Sequence, residues 1–241
     1  MRIGNITSSE IVALTTNGKT KDSFGKPFYT YIQQCKWERM LGRSLETESN
    51  ARPLTWGKLC EVYYFQNKGL LHYTPLMDEP IKHEEVDCYY GSPDAINNKI
   101  DAVTELKSPY TLTSFCQLVE PIMLGLTGMD AMNHIRDNHK DGEKFYWQTV
   151  SNAILTKKKT VEFVVFCPMK SELNDLRQLA QSMPPEVLRN YWWIDNAADD
   201  ELPHLIEDSK YQSINSIIFE PPHEDIDFLT SRVKAAGAML G

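Results

Sequence analysis

Two carboxylates and an ammonium lie close together in the stretch from Gly91 to Pro109. Asp94 lies eleven positions before Glu105, and Lys107 follows Glu105 by two positions. Carboxylates supply the hard oxygen ligands that a divalent cation prefers, and an ammonium can orient water or neutralise charge. Together they are the minimum equipment for metal-assisted hydrolysis of a phosphodiester. A Glu-x-Lys pair alone is common on exposed strands, so the Ser92-Pro93-Asp94 turn before it carries part of the argument.

A β-hairpin would bring these three side chains together. Two β-prone runs flank a polar, Asn-rich turn at 97–99, which predicts antiparallel strands. Side chains alternate along a strand, so Glu105 and Lys107 point to one face while Leu106 points to the other. Asp94, on the opposite strand, can then face the pair.

Two further polar side chains stand in predicted helices. Helical periodicity over Leu54 to Gln66 turns apolar residues inward, and Gly57 lies one turn before Glu61, so another element can approach beside that carboxylate. A solvated Glu61 is the alternative interpretation. Gln148 stands in the apolar stripe of a second helix, Phe145 to Leu155, where a buried amide needs hydrogen-bond partners.

The rest of the chain predicts helices and strands in mixed order. Helices are predicted near the N-terminus and at 28–41, 171–182 and 224–240, and strands within 70–87 and at 161–167. The stretch 111–142 is predicted as a partly helical connection, and 190–218 as a mixed, acidic region whose aromatic residues Tyr191, Trp192 and Trp193 pack. Three acids before the hairpin are predicted to be solvated, although one could join a metal cluster: Glu84, Glu85 and Asp87.

Length and composition indicate one soluble globular domain. A chain of 241 residues can bury a substantial core, and 41% hydrophobic with 24% charged residues is typical of neither a disordered nor a membrane protein. The apolar runs are too short to span a bilayer and no signal peptide is visible. We therefore expect a cytoplasmic protein, in the host cell if the source is viral.

Cysteine spacing and net charge bear on other classes of protein. The five cysteines stand 25 or more positions apart, which argues against a zinc site, a disulfide framework or an iron–sulfur nuclease. The net charge of −8 lacks the basic footprint that is usual in nucleic-acid binding. A local positive groove on an acidic exterior is compatible with that charge.

An ordered series of short motifs runs from residue 2 to residue 168. In chain order it consists of Arg2-Ile3-Gly4, Ile6 to Glu10, Leu54 to Lys58 with Glu61, Ser92-Pro93-Asp94, Glu105 to Pro109, Gln148 in its helix, and a strand ending at Pro168. Each motif is weak alone, but the ordered set is specific. On these residues the chain resembles the phage lambda exonuclease type of viral recombination nuclease, within the PD-(D/E)XK superfamily of restriction-endonuclease-like folds.

The resemblance implies an α/β (α+β) fold with a restriction-endonuclease-like core, in which helices flank a central mixed β-sheet. It implies a single nuclease domain over 1–241, with a recognisable core at about 2–168 and a C-terminal helical extension at about 169–241.

The resemblance also implies a metal site for one or two Mg²⁺ or Mn²⁺ ions. Asp94 and Glu105 would be the principal ligands, Glu61 would complete the site from its helix, and the backbone carbonyl of Leu106 would be a further ligand.

Other matched residues would act on the water and on the DNA end. Lys107 would position or activate the attacking water, and Gln148 would align the site. Arg2, Ser9 and Ser92 match positions that grip the 5′-phosphate of a DNA end in the family, which suits the donors that they carry.

The implied function is that of a metal-dependent deoxyribonuclease that degrades one strand of duplex DNA from its 5′ end during phage or mobile-element recombination. Double-stranded DNA ends, a single-strand annealing protein and further copies of the chain are the implied partners, since a ring-like trimer is known in the family. Two alternatives remain open: a structure- or sequence-selective endonuclease with the same site, and a catalytically silent scaffold that binds DNA ends. The intact Asp94, Glu105 and Lys107 set argues against the scaffold.

Overall fold

The computed structural model describes residues 3–20, 23–45, 51–68, 72–76 and 80–241. The strands in these ranges are β1 Ile6–Thr7, β2 Tyr73–Pro75, β3 Ile81–Lys82, β4 Tyr89–Gly91, β5 Ala95–Asn97, β6 Ala102–Lys107, β7 Thr160–Phe166 and β8 Ile214–Phe219. Five of them form a mixed sheet in the order β2-β5-β6-β7-β8, in which β6 and β7 are parallel. The other three form a small sheet in the order β1-β4-β3.

Helices pack on both faces of the larger sheet. They are α1 Val12–Thr15, α2 Lys26–Leu41, α3 Arg52–Asn67, α4 Leu112–Met123, α5 Gly128–Asn138, α6 Gly142–Thr156, α7 Leu173–Gln181, α8 Pro185–Leu188, α9 Trp192–Asn196 and α10 His223–Leu240. This arrangement confirms the predicted mixed sheet flanked by helices. Within the described ranges, no helix is long and apolar enough to cross a membrane.

The β5–β6 hairpin is present as predicted, with its turn one position later. Asn97 stays in β5, where its side chain accepts a hydrogen bond from Lys99 N at 3.1 Å. Asp101 closes the turn in the left-handed region, at φ 52°. The two faces of β6 pack into different cores: Val103 lies in the cluster that includes α6, and Leu106 lies in the cluster that includes α3.

A buried carboxylate ties the strands together on the face opposite Glu105. Glu162 of β7 accepts hydrogen bonds from Asn97 and Thr104 at 3.0 Å, from Tyr73 at 3.1 Å and from Ser216 at 3.4 Å. These four donors come from β5, β6, β2 and β8. Because a buried carboxylate is costly without donors, this network favours one strand register.

Several segments differ from the sequence prediction because long-range pairing decides them. The N-terminal segment starts as strand β1, whose Ile6 N donates to Cys88 O at 2.7 Å. The stretch 111–142 holds two regular helices. The region after Pro168, described above as a helical extension, also contributes β8, which pairs with β7 at the sheet edge. Trp192 was predicted to pack but is 58% exposed, whereas Tyr191 is buried.

The start of α6 leaves no room for a side chain at Gly142. A Cβ there would lie 2.1 Å from Ile135 O, whereas a Cβ at Gly57 in α3 would meet only Ser108 O, at 3.9 Å. We expect Gly142→Ala to lower the free energy of unfolding by about 1–3 kcal/mol through overpacking. Gly57→Ala should raise it by about 0.5–1 kcal/mol, since alanine loses less backbone entropy in a helix. Urea denaturation measures both, and equal effects would contradict this packing.

Candidate active site

The hairpin brings Asp94, Glu105 and Lys107 to one place. Asp94 lies between β4 and β5, and its Oδ2 accepts a hydrogen bond of 2.6 Å from Leu106 N on β6. Lys107 Nζ donates to Glu105 Oε1 at 2.5 Å. Glu105 itself is 2% exposed, so its charge is held inside the protein.

Helix α6 covers this face of β6 and supplies Gln148. Its Nε2 donates to Glu105 Oε1 at 2.5 Å, and its Oε1 accepts from Lys107 Nζ at 3.4 Å. Gln148 is half-buried rather than buried, and its amide has both a donor and an acceptor partner. Phe145, almost one turn earlier on α6, places its ring 5.3 Å from Lys107 Nζ, at a distance suited to a cation–π contact.

Asn152 is a contact residue that the sequence analysis missed. It lies one turn after Gln148 on α6, is 1% exposed, and its Nδ2 donates to Glu105 Oε2 at 2.7 Å. The available signal was a polar residue four positions after Gln148, where both side chains share one helix face.

Helix α3 brings Glu61 toward the same group. At Gly57, one turn before Glu61, α3 passes beside the residue after β6, since a Cβ there would be in van der Waals contact with Ser108 O at 3.9 Å. The negative charge of Glu61 is among the causes that raise the pKa of Asp94, which places the two carboxylates near each other.

Burial and neighbouring charges together shift the pKa values of Asp94 and Lys107. Burial raises the pKa of Asp94 well above its ordinary value, and the charges of Glu105 and Glu61 raise it further against the opposing effect of Lys107. Burial lowers the pKa of Lys107, but the charges of Glu105 and Asp94 outweigh burial and raise it overall. Lys107 is therefore an ammonium that donates hydrogen bonds. This state suits it to position the attacking water rather than to remove a proton from that water.

The donor set fits a hard divalent cation. Within the described residues, Asp94 Oδ1 accepts no hydrogen bond and Glu105 Oε2 accepts only the one from Asn152, so acceptor sites remain on both carboxylates. The described ranges contain no group of three or more His, Cys, Asp or Glu side chains arranged to hold a metal. Mg²⁺ commonly takes only one or two carboxylates and completes its shell with water and substrate phosphate.

Of the three residues predicted to bind a 5′-phosphate, the structure describes Ser9 and Ser92. Parallel pairing of β1 with β4 carries Ser8 against Gly91, where a Cβ would lie 2.1 Å from Ser8 Oγ. Ser9 and Ser92 each follow that contact by one residue; Ser9 is half-buried and Ser92 is exposed. Arg2 lies outside the described residues.

The acids before the hairpin are solvated, as predicted, and each pairs with a lysine. The pairs are Glu84–Lys157 at 2.5 Å, Glu85–Lys234 at 2.6 Å and Asp87–Lys82 at 2.8 Å.

Comparison with known proteins finds structures with a similar fold but no match in sequence. No protein-family model and no curated protein matches the sequence. An alkaline exonuclease (LHK-Exo) from Laribacter hongkongensis superposes with a TM-score of 0.56 at 17% identity, over 99% of this chain and 89% of that one. The structure of LHK-Exo in complex with dAMP gives 0.57 at 16% identity, with the same coverage. A phage-related exonuclease from Haemophilus somnus 129PT gives 0.61 at 12% identity, over 98% of this chain and 93% of that one.

The chain shares the fold of these exonucleases. At such low identity the likeness concerns the fold, and it confirms the predicted α/β nuclease fold. Because the superpositions cover 98–99% of the chain, the shared fold includes the segment after Pro168, where the sequence motifs end.

The raised pKa of Asp94 predicts a pH effect on stability when metal is removed. A carboxyl whose pKa is raised by folding stabilises the protein below its ordinary pKa, and that contribution is lost as the pH rises through the raised value. In EDTA, we expect the contribution of Asp94 to the free energy of unfolding to fall as the pH rises above about 4. Asp94→Asn should remove this loss. Urea denaturation across pH measures it, and identical pH profiles for the two proteins would contradict the raised pKa of Asp94.

Proposed function

We propose that the protein is a metal-dependent DNA exonuclease that degrades one strand of duplex DNA from its 5′ end. The observation that carries this proposal is the convergence of Asp94, Glu105 and Lys107 on one hairpin, within a fold shared with exonucleases. The resemblance in the order of sequence motifs supports it independently.

Asp94 and Glu105 would hold Mg²⁺ or Mn²⁺, with Glu61 and the Leu106 carbonyl as further ligands. The ion would supply stabilisation of the phosphate charge and a lower pKa for the attacking water. The protein's own side chains would position the attacking water and offset charge. Lys107 remains an ammonium beside the carboxylates, where it can donate to the attacking water and offset the growing negative charge.

Gln148 fixes the position of the Glu105 carboxylate relative to the Lys107 ammonium. Its amide NH2 binds Glu105 and its carbonyl faces Lys107, so one side chain orients both. A preorganised arrangement of this kind avoids reorganisation at the moment of reaction.

Recognition of a 5′-phosphate belongs to the same proposal. The β1–β4 pairing brings the segments of Ser9 and Ser92 together, and Arg2 precedes β1 by a few residues. A role in recombination, an annealing-protein partner and association with further copies of the chain are proposed from the family resemblance.

Lys107→Ala tests the chemistry. We expect the rate of DNA hydrolysis to fall by about 10²–10³-fold or more, because a preorganised cation is lost, while affinity for DNA stays close to that of the wild type. Lys234→Ala is the matched control, since Lys234 is an exposed lysine of α10 that pairs with Glu85, and this variant should cut at the wild-type rate. Near wild-type cleavage by Lys107→Ala would remove Lys107 from the mechanism.

Direction and substrate end require a DNA assay. Linear duplex with a 5′-phosphate at one end and a 5′-hydroxyl at the other is incubated with Mg²⁺, beside a closed circle and an EDTA control. We expect Mg²⁺-dependent loss from the phosphorylated end and an intact circle. Cutting of the circle would indicate an endonuclease. Folded protein that binds DNA ends but cuts neither DNA would indicate a scaffold.

A further inference from the structure

The side-chain carbonyl of Asn152 is buried and, among the described residues, has no hydrogen-bond partner. The side chain is 1% exposed, and in the described part of the chain its Oδ1 has no hydrogen-bond partner. Leaving a buried carbonyl unsatisfied destabilises a folded protein. A residue with this cost needs another reason for its place in the core.

Glu105 supplies that reason. A carboxylate can only accept hydrogen bonds, so the NH2 of Asn152 has to face Glu105 Oε2, which it contacts at 2.7 Å. The carbonyl then points the other way, toward Gly91, where a Cβ would lie only 3.1 Å from it. The unsatisfied carbonyl is therefore a consequence of the bond to Glu105.

Two amides from one helix thus hold the two oxygens of one carboxylate. Gln148 and Lys107 both donate to Oε1 of Glu105, and Asn152 donates to Oε2. Bonds to Oε1 alone would leave the carboxylate free to rotate about its last single bond. The bond from Asn152 fixes the plane of the group and the direction of its remaining acceptor site on Oε2.

We infer that Asn152 is a positioning residue that orients Glu105 for a divalent cation and thereby for DNA hydrolysis. This inference rests on the proposed function. Groups that orient a metal ligand through a hydrogen bond commonly contribute about 10–100-fold to metal affinity or activity.

A neighbouring residue offers a matched control. Ser151 is also buried on α6, but its hydroxyl bonds Ser8 at 2.7 Å and Tyr89 at 2.5 Å and makes no hydrogen bond to Glu105. Ser151→Ala therefore removes buried hydrogen bonds of similar kind without touching the carboxylate. This variant shows how the loss of buried hydrogen bonds on α6 affects the protein when the contacts of Glu105 are intact.

The test compares Asn152→Ala, Asn152→Leu and Ser151→Ala in the full-length protein. Asn152→Leu keeps the branching and the number of heavy atoms of the side chain, so it guards against an effect of the cavity that alanine would leave. Mn²⁺ binding is measured by calorimetry, and the unfolding midpoint is measured in EDTA and again with added Mn²⁺. Hydrolysis of linear duplex DNA is measured in parallel.

We expect both Asn152 variants to bind Mn²⁺ about 10–100-fold more weakly and to cut DNA correspondingly more slowly. The rise in midpoint that Mn²⁺ causes should shrink, because ligand stabilisation follows affinity. Ser151→Ala should lower the midpoint in EDTA but keep the Mn²⁺ affinity, the Mn²⁺-induced rise and the cutting rate.

Two results would overturn the inference, and they are distinguishable. If the Asn152 variants melt earlier but bind Mn²⁺ and cut like the wild type, Asn152 is structural and the proposed function stands. If the wild type itself neither binds Mn²⁺ nor cuts DNA, the proposed function fails and the role of Asn152 fails with it.

Discussion

The site depends on one buried negative charge, the carboxylate of Glu105. A carboxylate in a protein interior is tolerated only when donors surround it. Here the donors come from the same strand and from the helix that covers it: Lys107, Gln148 and Asn152. Strand β6 and helix α6 must therefore meet in one register, because a shift of either element would take both amide donors away from the charge. The glycines at 91 and 142 serve the same close packing, since neither position has room for a Cβ.

The arrangement places more negative charge in the site than its own cation balances. Burial raises the pKa of Asp94, the charges of Glu105 and Glu61 raise it further, and the ammonium of Lys107 opposes them. Folding concentrates this charge although dispersing it would be more favourable, which is a pattern typical of functional sites. A divalent cation between the carboxylates would relieve the repulsion. On the opposite face, Glu162 is surrounded by neutral donors and holds the strands instead.

Local patterns predicted the parts of the fold that depend on short-range interactions. The hairpin, the alternation along β6 and the helices that carry Glu61 and Gln148 all follow from turn composition and periodicity. Strands β1 and β8 were not predicted, because each is defined by a partner far away in the sequence. Asn152 was missed for a similar reason: its role appears only when α6 is laid on β6. The roles of Arg2, Ser9 and Ser92 remain predictions, because proximity of two segments does not establish a phosphate site.

A crystal of the protein grown or soaked with Mn²⁺, examined by anomalous diffraction at the manganese edge, tests the central claim most directly. We predict an anomalous peak that marks a manganese ion bonded to carboxylate oxygens of both Asp94 and Glu105. This peak should be absent in crystals of Asp94→Asn. Manganese bound elsewhere on a well-ordered protein, with none between these two carboxylates, would contradict the assignment of this hairpin as the catalytic centre.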